Sequence, residues 1–100
     1  MDERTCCAIA EFLSALSNPT RIRILCALFA NERCVGEIAS EIGLSQAHTS
    51  SHLRVLYDRG YLSRRREGKK VYYGLRDSRI PKFLSAAGKI AMESVPGYRK

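Results

Sequence analysis

Apolar residues recur every three to four positions along most of this chain, the spacing typical of amphipathic helices. Five helices are predicted, at about residues 4–17, 19–30, 35–42, 45–57 and 78–95. After Gly60 the period changes to two, which indicates strands at 61–66 and 70–75. Glu67-Gly68-Lys69 lies between these strands and is typical of a hairpin turn.

The order of these elements is three helices, a fourth helix, a hairpin and a last helix. A two-stranded hairpin is barely stable alone, so it must pack against the helices. The pattern therefore predicts one mainly α domain over residues 1–100, a winged helix-turn-helix. Its parts are an N-terminal arm (1–8), the helix-turn-helix (35–59), the wing (61–75) and a C-terminal dimerisation helix (78–95).

The segment from Gly43 to Leu56 is typical of the turn and second helix of a helix-turn-helix. Gly43 can end one helix in a left-handed conformation, and Ser45 can cap the next. The inward positions of that helix are Thr49, Leu53 and Leu56. The outward positions are short or hydrogen-bonding and include no acid: Gln46, Ala47, Ser50 and Arg54. Such a face suits the DNA major groove, where base edges present donors and acceptors.

The net charge of +7 is unevenly distributed. Residues 1–53 hold four Lys or Arg against six Asp or Glu, whereas residues 54–76 hold eight against two. A basic strip beside a recognition helix is the pattern expected for phosphate contacts. The predicted DNA-contacting residues are Ser45, Gln46, Ala47, Thr49, Ser50, His52, Arg54, Arg64, Arg65, Arg66, Lys69 and Lys70.

One hundred residues form a domain near the small end of what supports its own core, and dimerisation often stabilises such chains. The first and last helices carry apolar faces that one winged core covers only in part. We therefore expect a homodimer with these residues at its interface: Phe12, Leu16, Phe83, Ala87 and Ile90. The acidic start resembles no signal peptide and no segment is apolar enough to span a bilayer, so we expect a cytoplasmic protein with reduced cysteines and no membrane partner.

Several motifs together resemble the ArsR/SmtB family of winged-helix repressors. They are the segments 16–25, 42–46, 50–53, 60–62 and 67–73, which cover about residues 10–85 with the spacing of that family. The resemblance implies a homodimeric repressor that binds an operator with two half-sites and releases it when an effector binds. One departure is Thr49, where the family has an aliphatic residue facing the core, although the threonine methyl can still pack there.

The resemblance also implies two places where an ion could be sensed. The C-terminal zinc site of the family needs an Asp-x-His pair, which Asp77-Ser78-Arg79 replaces here, and no histidine follows His52. We therefore interpret that site as absent. The thiolate site of the family lies at the start of the third helix, where this chain has Glu32-Arg33-Cys34-Val35-Gly36-Glu37, with Gly36 in place of a second cysteine.

The vicinal pair Cys6-Cys7 can complete that thiolate site, because some relatives bring N-terminal cysteines across the dimer. Three thiolates from Cys6, Cys7 and Cys34 suit thiophilic ions such as As(III), Sb(III) or Pb(II), and adding Glu37 or water would allow Cd(II) or Zn(II). Cys26 is expected on the inner face of the second helix with Ile22, Leu25 and Phe29, as a small buried hydrophobe.

Two other functions use the same thiols. In a redox or persulfide sensor of the same fold, Cys34 would form a disulfide with Cys6 or Cys7. A small thiol enzyme would use the Cys6-Cys7 pair, but neither a general base nor a Gly-rich anion loop is near that pair in the sequence. We therefore expect no catalytic residues and no small-molecule substrate.

Overall fold

The computed structural model describes residues 1–98 and contains five helices and three strands in that range. In chain order they are α1 (Glu3–Leu16), α2 (Pro19–Ala27), β1 (Arg33–Cys34), α3 (Val35–Ile42), α4 (Gln46–Asp58), β2 (Leu62–Glu67), β3 (Lys70–Leu75) and α5 (Ile80–Ser94). The winged helix-turn-helix predicted from the sequence is confirmed.

Side-chain caps mark the starts of α1, α2 and α4, and a left-handed glycine marks the end of α3. The Asp2 carboxylate accepts the Thr5 N–H at 2.8 Å, and the Asn18 side chain accepts from two backbone N–H groups at the start of α2. Gly43 ends α3 with a φ of 74°, a left-handed conformation that favours glycine. Ser45 then caps α4 by accepting the His48 N–H at 3.1 Å. The predicted turn between α3 and α4 is thus confirmed.

The three strands form one antiparallel sheet in the order β1-β3-β2. β2 and β3 pair from Leu62 opposite Leu75 to Glu67 opposite Lys70, which leaves Gly68-Lys69 as the two-residue turn. The sequence did not predict β1, because a two-residue strand has no periodicity. Only its long-range pairing makes it a strand, with Arg33 opposite Tyr73 and Cys34 opposite Tyr72.

The hydrophobic core lies between α2, α3, α4 and the inner face of the wing. Its largest fully buried side chains are Ile24, Leu25, Ile38, Thr49, Leu53, Leu56 and Leu62. Tyr61 joins α1 to this core, since its hydroxyl donates to the Phe12 carbonyl oxygen and its ring lies 5.2 Å from the Phe12 ring. The core therefore holds the recognition helix and the wing in one rigid unit.

The inner face expected for α2 is wrong in part. α2 ends at Ala27, three residues earlier than expected, and both Cys26 and Phe29 are exposed. Leu25 is buried as expected, but it is joined by Ile24 and by Leu28 just after the end of α2 rather than by Cys26 and Phe29. The apolar residues of this helix are dense enough to allow two faces, and packing against α3 and α4 decides between them.

Two boundaries also differ from expectation at the chain ends. α1 begins at Glu3, within one residue of the predicted helix at about 4–17, but the separate arm expected at 1–8 is wrong because most of it, including Cys6 and Cys7, lies on α1. α5 begins at Ile80 with Arg79 as its N-cap, rather than with Asp77 or Ser78. The tail expected at the C-terminus includes residues 99 and 100, which lie outside the described residues. Over residues 1–98, the helices are all too short or too polar to cross a membrane.

Candidate nucleic-acid interface

The outer face of α4 presents small and polar side chains to solvent. Gln46, Ala47, Ser50 and Arg54 are all exposed, whereas Leu53 and Leu56 on the opposite face are fully buried. No acidic residue occurs on α4 before Asp58 at its last position. This face is therefore free to approach a polyanion without local repulsion.

The prediction that Thr49 contacts DNA is wrong, because this residue is buried. Its side chain is fully buried, and its hydroxyl donates to the Ser45 carbonyl oxygen at 2.8 Å. The hydroxyl is thereby satisfied inside the helix while the methyl group packs in the core. The sequence pattern had placed Thr49 inward, and the structure confirms that position.

His52 faces α2 rather than the outer side of α4. The Arg21 Nε–H donates to His52 Nδ1 at 3.4 Å, which uses the imidazole as an acceptor. Partial burial lowers the pKa of His52 below its ordinary value, and the positive charges of Arg21 and His48 lower it further. The neutral form of His52 is thus the one that this packing favours, and its Nδ1 is already occupied.

A groove of about 450 Å³ separates α4 from the wing. Its walls carry two arginines, two serines and two tyrosines: Ser50, Ser51, Arg54, Tyr57, Arg64 and Tyr73, with Asp58 at one end. The Arg64 guanidinium lies over the Tyr57 ring, 4.1 Å from its centroid, which holds this long side chain against α4. The sequence analysis did not include Ser51 and Tyr57, and only the packing of β2 against α4 brings them to this groove.

Strand alternation separates the three consecutive arginines of β2. Arg64 and Arg66 share the face of Leu62, which is buried against the helices, whereas Arg65 points to the opposite face. Lys69 lies in the turn at the tip of the wing, and Lys70 begins β3. The basic residues of the wing therefore line two different surfaces.

Arg65 is held by two carboxylates. Its Nε donates to Glu32 Oε1 at 2.8 Å and its Nη1 donates to Glu67 Oε2 at 2.5 Å. The same guanidinium lies 4.7 Å from the centroid of the Tyr72 ring. The hydrogen bond from Arg65 lowers the pKa of Glu67, and both carboxylates raise the pKa of Arg65. The sequence analysis did not assign a role to Glu32, which is 33 residues away from Arg65.

Cys34 lies where the wing, through β1, joins α3. It is the N-cap residue of α3 and pairs with Tyr72 of β3. Its N–H donates to Glu37 Oε1 at 3.0 Å, and this hydrogen bond is the main reason why the pKa of Glu37 is lowered. Glu37 thus has a structural role as a helix cap in addition to being a candidate ligand.

The other three cysteines are exposed free thiols. Cys6 and Cys7 occupy consecutive positions of α1, so their side chains diverge by about 100° around the helix axis. Cys26 borders a small recess beside Arg23 and Glu41, and partial burial raises the pKa of its thiol. Over residues 1–98, one protomer brings no three His, Cys, Asp or Glu side chains close enough to hold a metal ion.

An ion pair between Asp77 and Arg79 lies where the C-terminal zinc site of the family would begin. Asp77 accepts from Arg79 Nε at 3.0 Å through Oδ1 and from Arg79 Nη2 at 2.7 Å through Oδ2. These hydrogen bonds lower the pKa of Asp77 to about 2. A carboxylate engaged in this way, without an imidazole beside it, is a poor zinc ligand.

The fold and this surface together define a winged helix-turn-helix DNA-binding domain. Residues 18–64 match the family model for the bacterial regulatory proteins of the arsR family. A curated relative, the probable mercury resistance operon repressor of Streptomyces lividans, is 38% identical over 85 residues, which cover 85% of this chain and 68% of the relative. The chain belongs to the arsR family of bacterial regulatory proteins, and it is a DNA-binding transcriptional regulator rather than an enzyme.

Solved structures agree with this assignment. The transcriptional repressor BigR from Xylella fastidiosa superposes with a TM-score of 0.80 at 32% identity, covering 88% of this chain and 90% of that one. The homodimeric winged helix-turn-helix DNA-binding domain Mb0332 from Mycobacterium bovis superposes with a TM-score of 0.76 at 25% identity, covering 100% of this chain and 95% of that one.

Proposed function

We propose that this protein is a homodimeric cytoplasmic repressor that releases its operator when a thiophilic ion binds to cysteine thiolates. The observation that carries the DNA-binding part is the acid-free outer face of α4, which lies beside a groove lined by Arg54 and Arg64. A helix of this kind enters the major groove, while basic residues on either side contact phosphates.

The roles of the DNA-contacting residues follow from their positions. Gln46, Ala47 and Ser50 lie at the exposed start of α4 and recognise base edges. Arg54 and Arg64 line the groove, and Arg66, Lys69 and Lys70 extend the basic surface along the wing to phosphates of the adjacent groove. Ser45 contributes as the cap of α4. His52 supports α4 through Arg21.

The dimer forms through α1 and α5. In one protomer α5 buries only Ile80, and it leaves Phe83, Ile90 and Met92 exposed. Phe12 links the two helices within the protomer, since its ring lies 5.4 Å from the Phe83 ring. The homodimeric Mycobacterium bovis domain, which superposes over the whole of this chain, supports the same state here.

The sensor site combines Cys34 of one protomer with Cys6 and Cys7 of the other, so a dimer holds two ions. The exposed N-terminal thiols leave the donors accessible. As(III), Sb(III), Pb(II) and Cd(II) prefer such thiolates, Zn(II) is a further candidate if Glu37 joins, and the relative named for mercury resistance adds Hg(II). Because thiolates are the ligands, the affinity for the ion falls as the pH drops.

Binding to both Cys6 and Cys7 requires a local change in α1. Consecutive residues of a helix do not face one another, so the first turn must unwind for both thiolates to reach one ion. That turn is fully exposed, and Asp2 provides its side-chain cap. We therefore expect ion binding to reduce the helicity of residues 3–7, measured from backbone chemical shifts.

The DNA-reading role of Gln46 is tested by replacing it with alanine. Loss of a bidentate base contact typically costs about 1–3 kcal/mol of discrimination. Gln46→Ala should thus weaken binding to the operator more than binding to random DNA. Arg66→Gln is the matched control, since loss of a phosphate contact weakens both equally. Equal losses on both DNAs with Gln46→Ala would contradict base recognition by this side chain.

The sensor is tested with Cys34→Ser and the control Cys26→Ser. Cys34→Ser should abolish ion-driven release of the operator and the thiolate charge-transfer absorption, while the ion-free protein still binds the operator. Cys26→Ser should retain both responses. The assay uses reduced protein and the ion alone, because release that requires an oxidant instead would favour the redox sensor. Release from Cys34→Ser by the ion would contradict the proposed site.

A further inference from the structure

We propose that Arg65 is a positioning residue of the wing rather than a phosphate contact. It fixes the wing to the segment before β1 through Glu32, and the neighbouring Arg64 and Arg66 supply the charge that binds DNA. This inference rests on the proposed DNA-binding role of the wing. The three consecutive arginines of β2 thus have different roles although the same residue type is repeated.

The carboxylates around Arg65 leave it little capacity for a phosphate. Two of its three nitrogens donate to Glu32 and Glu67, and one face of its guanidinium lies on the Tyr72 ring. Counting one positive and two negative charges, this cluster carries a net charge of −1. A cluster of that sign does not attract DNA, so Arg65 itself contributes no favourable phosphate contact, and the phosphate contact on this face falls to Lys70, which lies opposite Glu67 in the sheet.

Glu32 approaches the sheet closely at Gly74, where a side chain would crowd it. A Cβ atom on Gly74 would lie 3.0 Å from Glu32 Cγ and 3.2 Å from Ser63 Oγ. Gly74 pairs with Ser63, on the same face of the sheet as Arg65. The absence of a side chain at residue 74 therefore lets Glu32 lie across the sheet and reach Arg65.

This network contributes little to the stability of the fold and more to the geometry of the wing. All three side chains are partly exposed, and exposed ion pairs contribute little to folding. However, Glu32 belongs to the segment that leads into β1, and Cys34 of β1 caps α3. The contact therefore fixes the angle between the wing strands and the helix-turn-helix, which decides whether both can contact one DNA duplex.

The first test compares the salt dependence of DNA binding for Arg65→Gln and Arg66→Gln. Each phosphate contact contributes about 0.9 to the slope of log K against log salt. Arg66→Gln should flatten the slope by about 0.9 for each protomer bound. Arg65→Gln should change the slope much less, yet it should weaken operator binding more than random-DNA binding. Equal flattening by the two variants would overturn the proposal.

A second test frees Arg65 from its carboxylates. In Glu32→Gln/Glu67→Gln, Arg65 becomes available to DNA, so the salt slope should steepen. Adding Arg65→Gln to this variant should return the slope to about the wild-type value. If Arg65 already binds phosphate in the wild type, the triple variant will instead have a flatter slope than the wild type, which would overturn the proposal.

Hydrogen exchange in the DNA-free protein tests the positioning role independently of DNA binding. Arg65→Lys keeps the positive charge but loses the planar guanidinium that donates to both Glu32 and Glu67. Gly74→Ala displaces Glu32. Both variants should increase amide exchange in β1 and at the β2–β3 end of the wing, whereas Arg66→Lys should not. Unchanged exchange in both variants would overturn the proposal. If the wild type bound no DNA, the proposed function would fail while this result still stood.

Discussion

α4 and α5 are both amphipathic helices, yet they use their apolar faces differently. α4 buries Leu53 and Leu56 completely within its own protomer. α5 is two residues longer, but it buries only Ile80 and leaves Ile90 65% exposed and Met92 55% exposed. The same amphipathic pattern thus packs α4 into a buried core but leaves an exposed apolar surface on α5.

This contrast separates folding from assembly. α4 is held by contacts that one chain supplies, so the DNA-facing unit is complete in a protomer. The apolar surface of α5, with Ile9 and Leu13 of α1 also exposed, is of the kind that marks an interface. The difference suggests that the DNA-facing unit is formed by contacts within one protomer. The pairing of two such units depends instead on α1 and α5.

The largest expected effect is on the free energy of unfolding and comes from the core packed by α4. Leu56→Ala should lower the free energy of unfolding by about 2–5 kcal/mol, because it removes a fully buried side chain and leaves a cavity. The loss, measured by urea unfolding, should be nearly independent of protein concentration. Ile90→Ala should instead cause a loss that varies with concentration, since it acts through association. A concentration-independent loss for Ile90→Ala would place Ile90 in the core of the protomer.

The next effect concerns assembly alone. Ile90→Asp should convert the dimer to monomer at micromolar concentration, because it buries an unpaired charge at the interface. Sedimentation velocity measures this change, and circular dichroism should show the helices retained. Lys69→Asp at the tip of the wing is the control, and it should remain dimeric. A dimeric Ile90→Asp variant would remove this part of α5 from the interface.

The smallest expected effect is the pH dependence of the unfolding free energy that comes from His52 of α4. Because the folded pKa of His52 is lowered, the unfolded state binds a proton more readily, and stability should fall as the pH drops below about 6.5. Above that value His52 contributes no pH dependence. His52→Gln should make the unfolding free energy less sensitive to pH below about 6.5. Parallel profiles for the wild type and His52→Gln would contradict this role.

Local signals in the sequence were sufficient for the helix-turn-helix. Gly43 and Ser45 specify the turn through backbone conformation and capping, and the spacing of Thr49, Leu53 and Leu56 specifies the inner face of α4. The hairpin was equally predictable, because Gly68 adopts a φ of 62° in its two-residue turn. The physical reason is that each of these features depends on residues within a few positions of one another.

Contacts between distant residues were not predictable in this way. β1 exists through its pairing with β3, and Arg65 differs from Arg64 through Glu32, 33 residues earlier in the chain. Cys26 was expected inside because the apolar spacing of α2 permits two faces, and tertiary packing chose the face of Ile24 and Leu25.

The sequence by itself determined the family, the order of the helices and the wing, and the polar outer face of α4. These follow from periodicity, caps and turns, which act over short distances along the chain. The tertiary structure alone decided which arginine of β2 is neutralised, which face of α2 is buried, and that residues 33 and 34 form the strand β1. Those outcomes depend on which side chains meet across the fold, and local spacing does not encode such meetings.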